Sequence, residues 1–193
     1  MENKKINIVG INNKYQIKKL LQKNKVEKQR VVSQTWNIPE EYYGFIKQVD
    51  VMDEIYKCLQ KKEEIKDIFR IFIQEIERKI SGYKQQDLLK KILNMEKIIN
   101  TFYLVEMIKE CDLKCYYCKG EMLVIYKKVR EASQWTVDRI DNACGHNQDN
   151  IVLSCLQCNL KRKNKSKDSF LFTKQLTIIR EKFTENNDVN NIL

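Results

Sequence analysis

The first half of the chain carries apolar residues at the three- and four-residue spacing of amphipathic helices. The pattern begins after Asn37 and Pro39, a capping residue and a first-turn proline that favour a helix start. We predict that this helix stops at Ser81-Gly82, that a second covers about residues 88–105, and that the two form an antiparallel hairpin. Apolar positions of the first helix include Phe45, Val49, Met52, Ile55, Tyr56, Leu59, Ile65, Ile68, Phe69, Phe72, Ile73, Ile76 and Ile80.

Beyond residue 110 the pattern changes to short β-rich runs at 122–126, 135–137 and 151–154. A polar loop at 141–150 separates the last two runs, a helix is expected over 156–165, and a closing helix follows Lys167. The sequence therefore predicts an α+β fold. A basic and mainly helical region spans 1–110, a small mixed domain spans 111–185, and a frayed tail spans 186–193.

Two Cys-x-x-Cys pairs flank the β-rich runs, one at Cys115 and Cys118 and the other at Cys155 and Cys158. Two residues between thiols allow both sulfurs to face one ion, and two such pairs complete a tetrahedral zinc site. Four thiolates leave no open position on the metal. The spacing therefore predicts a structural zinc ion rather than a catalytic one.

Disulfide bonds are the alternative explanation of these pairs. The first residues lack the apolar stretch of a secretory signal, and no run approaches the ~18 apolar residues of a membrane span. We therefore expect an intracellular chain, in cytoplasm or nucleus, where thiols stay reduced. Cys111 competes with Cys115 as a ligand but fits the spacing less well, and it is expected to be structural, as are Cys58 and Cys144.

Net charge +10 and a pI near 9.2 favour a polyanionic partner such as nucleic acid. The alternative is a general bias towards Lys, Asn and Ile. The excess is clustered, however, with nine Lys or Arg against two acids in residues 1–30 and five basic residues among the seven at 161–167. Clustering beside the second cysteine pair predicts phosphate contacts by Lys161, Arg162, Lys163 and Lys165.

The segment from Cys115 to about Lys165 resembles the HNH endonucleases of the ββα-metal class. The resemblance rests on the two cysteine pairs, on Asp138 at the end of a strand, on Asn150, and on Asn159 directly after the last cysteine. It covers about a quarter of the chain, and the first 110 residues resemble no family that we can name.

By this resemblance Asp138 and Asn159 would ligate a catalytic divalent ion such as Mg²⁺, and Asn150 would brace the loop. A hard cation takes oxygen ligands and keeps several waters, so a carboxylate and an amide oxygen leave room for a phosphate. DNA would be the partner, and a protein partner for the helical region stays open.

The family's general base is usually a histidine directly after the metal-binding aspartate, where this chain has Arg139. A guanidinium stays protonated and cannot accept a proton from water. His146, the only histidine of the chain, is therefore the candidate base, since an ordinary imidazole titrates near pH 6.5. The alternative is that His146 is a loop histidine that only forms hydrogen bonds with the backbone. Arg139, which cannot act as the base, would instead bind phosphate.

Three functions remain open at this point. The first is a metal-dependent endonuclease that cleaves DNA phosphodiesters. The second is a zinc-stabilised nucleic-acid-binding or assembly module that keeps the HNH fold without cleavage, which the missing Asp-His pair favours. The third is a zinc ribbon for protein contacts, which would leave Asp138, Asn159 and the basic run unexplained.

Overall fold

A computed structural model describes residues 27–176, together with Ile17 and Leu21. The predicted tail at 186–193 and most of the basic segment at 1–30 lie outside the described residues. The described chain divides into two compact units, which are treated separately below. One contains residues 27–36 and 127–129, and the other contains residues 37–126 and 130–176.

The smaller unit is a paired chain segment followed by one helical turn. The backbone N–H of Arg30 donates to Lys127 at 2.6 Å, and that of Val129 donates to Lys28 at 2.7 Å. Lys128 forms an ion pair with Glu27 at 2.7 Å. Helix α1, Val31–Gln34, follows this pairing.

Helices account for most of residues 40–110 in the larger unit, as the apolar spacing predicts. A 3-10 turn, Glu40–Tyr43, precedes α2, Phe45–Lys61. Helix α3 is Asp67–Leu89, and α4 is Thr101–Glu110, capped by the side chain of Asn100. The core of this region contains Val51, Met52, Ile55, Phe69, Phe72, Ile76, Leu104, Val105 and Ile108.

The predicted helix ends and the predicted hairpin are wrong, and of the second predicted helix at 88–105 only the part from Thr101 onward forms a separate helix. The first break comes at Lys62, which adopts the left-handed conformation with φ 56°, and α3 continues through Ser81-Gly82. Glycine inside a helix costs about 1 kcal/mol relative to alanine, an amount that burial of Phe72 and Ile76 on the same helix offsets. Helix α2 packs chiefly against α4 rather than α3.

The predicted runs at 135–137 and 151–154 form a two-stranded antiparallel sheet. Strand β1, Trp135–Arg139, pairs with β2, Ile151–Cys155, so that Asp138 lies opposite Val152. Helix α5, Leu156–Arg162, starts directly after β2, and α6, Lys167–Gln175, is capped by Ser166. Within residues 27–176 the fold is thus α+β, with six α-helices and one two-stranded sheet.

The predicted strand at residues 122–126 does not form. Met122, Val124 and Ile125 are fully buried, but their segment makes only isolated bridges. The buried side chain of Gln48, on α2, forms the backbone hydrogen bonds that a neighbouring strand would otherwise form. Its Oε1 accepts from the N–H of Val124 at 2.7 Å and of Ile125 at 3.2 Å, and its Nε2 donates to the Ile125 carbonyl at 3.0 Å.

The predicted domain boundary at 110/111 stays a prediction, although the Gln48 hydrogen bonds cross it. In the part of the chain that the structure describes, no helix combines the length and the apolar character needed to cross a bilayer.

Candidate functional site

Four cysteines form a cluster that can hold a metal ion such as zinc. The Sγ atoms of Cys115, Cys118, Cys155 and Cys158 all lie within 4.8 Å of one another, and those of Cys118 and Cys155 are 3.9 Å apart. Sulfurs bound at ~2.3 Å to one tetrahedral ion would be about 3.8 Å apart. The donor set and its spacing therefore fit zinc.

Local structure brings the two pairs together. The first pair lies in a tight turn closed by the Cys115 N–H, which donates to the Gly120 carbonyl at 2.9 Å. Cys155 ends β2 and caps α5, so that Cys158 follows one turn later. The N–H of Cys155 donates to the Cys115 sulfur at 3.3 Å, and that of Cys158 donates to the Cys155 sulfur at 3.4 Å.

The alternatives left open for the cysteines are resolved by these positions. All seven cysteines are free thiols, and 3.9 Å is far longer than a disulfide bond of about 2.05 Å. Cys111 is not part of the cluster; its thiol donates to the Ile108 carbonyl at 3.4 Å. The hydrogen bond between Cys155 and Cys115 lowers the pKa of Cys115 and raises the pKa of Cys155, so in the absence of a metal ion the negative charge is favoured on Cys115.

A cavity of about 720 Å³ lies beside β1 and brings several of the predicted site residues together. Helix α3 lines it with Arg78, Gly82, Tyr83 and Gln86, and Lys90 follows directly after the helix. Strand β1 lines it between Thr136 and Arg139, and α5 and the residues after it contribute Asn159 and Lys163. His146 comes from the loop between the strands. Thus Asp138, Arg139, His146, Asn159 and Lys163 share one cavity.

Asp138 is nearly buried and already bound by protein groups. Tyr117 donates to Oδ2 at 2.7 Å. Arg162 donates from Nη2 to Oδ1 at 2.9 Å and places Nε 2.6 Å from Oδ2. A carboxylate offers about four lone-pair positions, so these three contacts leave one position, on Oδ1, without a partner among the described residues.

The structure corrects the position of Arg162. The basic run placed it among the phosphate contacts, but its side chain is 1% exposed. Besides its contacts with Asp138 it donates to the Lys165 carbonyl at 2.7 Å and to the Arg139 carbonyl. Because burying an arginine without a counter-ion is unfavourable, the position one turn after Cys158 requires the carboxylate of Asp138.

Asn159 lies on α5 with its amide directed at β1. Its Nδ2 donates to Thr136 Oγ1 at 3.1 Å and to the Val137 carbonyl at 3.2 Å. These bonds fix the orientation of the amide and leave Oδ1 without a hydrogen bond among the described residues. Asn159, with a neutral side-chain oxygen, and Asp138, with a carboxylate, both line the same cavity.

The loop between the strands is held by Asn150 and Arg139. Asn150 accepts from the Asp141 N–H at 2.9 Å and donates to the carbonyls of Asp141 and Gly145 at 2.9 and 3.0 Å. Arg139 Nη1 donates to the carbonyls of Asn142 and Cys144 at 3.2 and 3.1 Å. Both residues thus shape the loop that carries His146.

His146 is buried and paired with an acid that sequence reasoning missed. Nδ1 lies 2.8 Å from Oδ1 of Asp87, and the backbone N–H donates to Oδ2 at 2.6 Å. The Tyr83 ring stacks on the imidazole, with centroids 4.5 Å apart. Burial lowers the pKa of His146, an effect that Asp87 opposes and that Arg139 reinforces. The net lowering favours the neutral imidazole.

A signal for Asp87 was present in the sequence. Helical spacing places five residues on one face of a helix: Phe69, Phe72, Ile76, Tyr83 and Asp87. A carboxylate on an apolar helix face must find a polar partner when it is buried. Tyr117, the other missed neighbour of the site, lies between the first two cysteines, and no spacing or motif in the sequence sets it apart.

The cavity is strongly cationic. Among the described residues that line it, the basic ones are Arg78, Lys79, Lys90, Arg139 and Lys163, and the one carboxylate is Asp138. Arg78 is paired with Glu75 at 2.9 Å. Lys90 and Lys163 have no carboxylate partner among the described residues, whereas Lys161 and Lys165 are exposed and do not line the cavity. The lining favours a negatively charged occupant.

Comparison with protein-family models, with curated proteins and with solved structures finds no match to this chain. Its function is therefore inferred from the chemistry of the cavity and of the cysteine cluster.

Proposed function

We propose that this chain is a metal-dependent endonuclease of the HNH kind that cleaves DNA phosphodiester bonds. The observation that carries the proposal is the convergence of Asp138, His146 and Asn159 on one cationic cavity. The order of elements supports it, since two antiparallel strands lead directly into a helix beside the cysteine cluster.

Oxygen atoms of Asp138 and Asn159 would hold a divalent ion such as Mg²⁺. One carboxylate and one amide form a hard donor set that suits this ion and leaves sites for water and phosphate. Arg162 and Tyr117 hold the carboxylate in place, while Thr136 and the Val137 carbonyl orient the amide. When bound, the ion would stabilise negative charge on the phosphate and the leaving oxygen.

His146 would accept the proton of the attacking water. Burial lowers its pKa and so favours the neutral imidazole. With Nδ1 facing Asp87, the other ring nitrogen is available as an acceptor. Arg139, Lys90 and Lys163 would bind the phosphate strand, since none of them is paired with a carboxylate among residues 27–176.

A plasmid-cleavage assay tests this function. Wild-type protein with Mg²⁺ should cleave, EDTA should stop the reaction, and His146→Ala should lower the rate ~100-fold or more because it removes the general base. Asp138→Asn should abolish metal-dependent cleavage while it keeps a side chain of the same shape beside Arg162. Zinc content and circular dichroism would show whether each variant remains folded, since Asp138→Asn leaves the buried Arg162 without its counter-ion.

A wild-type rate for His146→Ala would remove His146 from the mechanism and leave the metal site standing. Absence of cleavage by wild-type protein with Mg²⁺, Mn²⁺ and several DNA and RNA forms would contradict the nuclease itself.

One observation favours a second candidate, a nucleic-acid-binding module without cleavage. The ion pair between Asp138 and Arg162 neutralises the one carboxylate in the described lining of a cavity that is otherwise cationic. Such a cavity binds phosphate without needing a metal ion. The same assay separates the candidates, since this module would retain DNA in the presence of EDTA and never cut it.

Charge reversal at the cavity should weaken DNA binding whichever candidate holds. Lys90→Glu and Lys163→Glu should each lower affinity for all sequences and flatten its salt dependence, by roughly 0.9 in the log–log slope for each phosphate that is no longer neutralised. Lys57→Glu is the matched control, because Lys57 is exposed on α2 and lies away from the cavity. Equal effects of the three variants in a salt titration would contradict a specific phosphate path.

A further inference from the structure

Helix α3 contacts the loop that carries His146 through the buried carboxylate of Asp87. Asp87 is 1% exposed and His146 is 4% exposed. The two carboxylate oxygens of Asp87 contact two different groups of the same residue, the backbone N–H at 2.6 Å and Nδ1 at 2.8 Å. A two-point contact of this kind fixes both the backbone and the ring of His146 relative to α3.

Gly145 makes this approach possible. A Cβ atom built at Gly145 would lie 2.8 Å from Asp87 Oδ2 and 2.7 Å from the Ile92 carbonyl, distances that are too short for carbon. A side chain at position 145 would therefore displace Asp87 from His146. The glycine before His146 is therefore explained by close packing against α3, and not by the backbone conformation of a turn.

Tyr83 holds the other side of the imidazole and links it to β1. Its ring lies 4.5 Å from the imidazole centroid at an interplanar angle of 24°. Its hydroxyl accepts a hydrogen bond from the Val137 N–H at 3.0 Å, one residue before Asp138. One turn of α3 thus fixes the ring of His146 and the end of the strand that carries the acid.

The contact with Asp87 selects one tautomer of His146. An ionised carboxylate only accepts hydrogen bonds, so the Nδ1 that faces it must carry the proton. Neutral imidazole has a single N–H, and the lone pair then lies on Nε2. His146 lines the cavity, and no hydrogen bond occupies Nε2 among the described residues.

We propose that Asp87 is a positioning residue that keeps His146 in the Nδ1–H tautomer, with Nε2 as the acceptor that the cavity chemistry uses. Its effect on cleavage rests on the proposed function, but its effect on the tautomer does not. The helical region before residue 110 thereby supplies part of the site, beyond the segment that resembles HNH nucleases.

Nuclear magnetic resonance tests the tautomer directly. His146 is the only histidine, so long-range ¹H–¹⁵N correlations of uniformly ¹⁵N-labelled protein report one imidazole. At neutral pH the wild type should show a protonated Nδ1 and an unprotonated Nε2. Asp87→Asn should raise the Nε2–H population several-fold, because the amide NH₂ can donate to Nδ1. Glu77→Gln, an exposed acid of α3, is the control with the same change of charge.

The expected effect on cleavage is a fall of ~100-fold in kcat, as for removal of the base, with DNA affinity unchanged. A wild-type Nε2–H tautomer, or an unchanged tautomer in Asp87→Asn, would overturn the proposal. If Asp87→Asn fails to fold, the wild-type spectrum alone still tests the proposed tautomer of His146. Gly145→Ala offers a second way to displace Asp87. The expected tautomer without cleavage by any variant would contradict the nuclease and leave the positioning role intact.

Discussion

Replacing Cys158 by serine should abolish stoichiometric zinc binding and unfold the sheet and α5. Purified wild-type protein should contain about one equivalent of zinc per chain, held by the four clustered sulfurs. Structural zinc contributes about 10–16 kcal/mol of apparent binding free energy at neutral pH, which is coupled to folding. Cys158 is completely buried, so the substitution removes a ligand that nothing nearby replaces.

Metal analysis and a thermal melt followed by circular dichroism would measure both effects. Cys144→Ser is the matched control, because Cys144 is exposed and lies outside the cluster. It should keep one zinc and the wild-type melting temperature. Full zinc content in Cys158→Ser, or equal depletion in both variants, would contradict the four-cysteine site.

Replacing Arg162 by methionine should lower the free energy of unfolding by about 3–5 kcal/mol, the usual cost of removing one partner of a buried ion pair. Methionine fills similar volume but removes the guanidinium that meets Asp138 at 2.6 and 2.9 Å. The carboxylate, 4% exposed, would retain only the hydrogen bond from Tyr117. Urea denaturation of zinc-loaded protein would measure the change.

Lys161→Met is the control for this variant, since Lys161 is the exposed neighbour on α5 and should change stability by less than about 0.5 kcal/mol. Adding Asp138→Asn to Arg162→Met should recover part of the stability, because a neutral amide costs less to bury than a charge. A wild-type denaturation midpoint for Arg162→Met would mean that the ion pair does not stabilise the fold.

Features that depend on local spacing could be predicted from the sequence. The cysteine pairs define their own geometry, since two intervening residues let both thiols face one ion. The short β-rich runs correctly predicted β1 and β2. Helical spacing correctly predicted that helices cover most of residues 40–110. Helix ends were predicted less well, because Gly82 is tolerated inside α3 and Lys62 adopts a left-handed conformation without being glycine.

Features that depend on long-range partners could not be predicted in the same way. Arg162 reads as one more cation in a basic run, and only its burial one turn after Cys158 sets it apart from Lys161 and Lys163. Asp87 lies 59 positions from His146, so no local pattern joins them. In both cases the deciding feature is a buried charged side chain. Such a side chain on a helix must have a polar partner, but the sequence does not show which residue that partner is.

The side chain of Gln48 has a consequence for any shortened form of this protein. It supplies both the acceptor for two amides and the donor for one carbonyl of the buried segment at 122–126. A chain that began at residue 111 would leave those backbone groups unpaired, at a cost of about 1–3 kcal/mol for each that stays buried. We therefore expect a chain that begins at residue 111 to be less stable than one that retains α2.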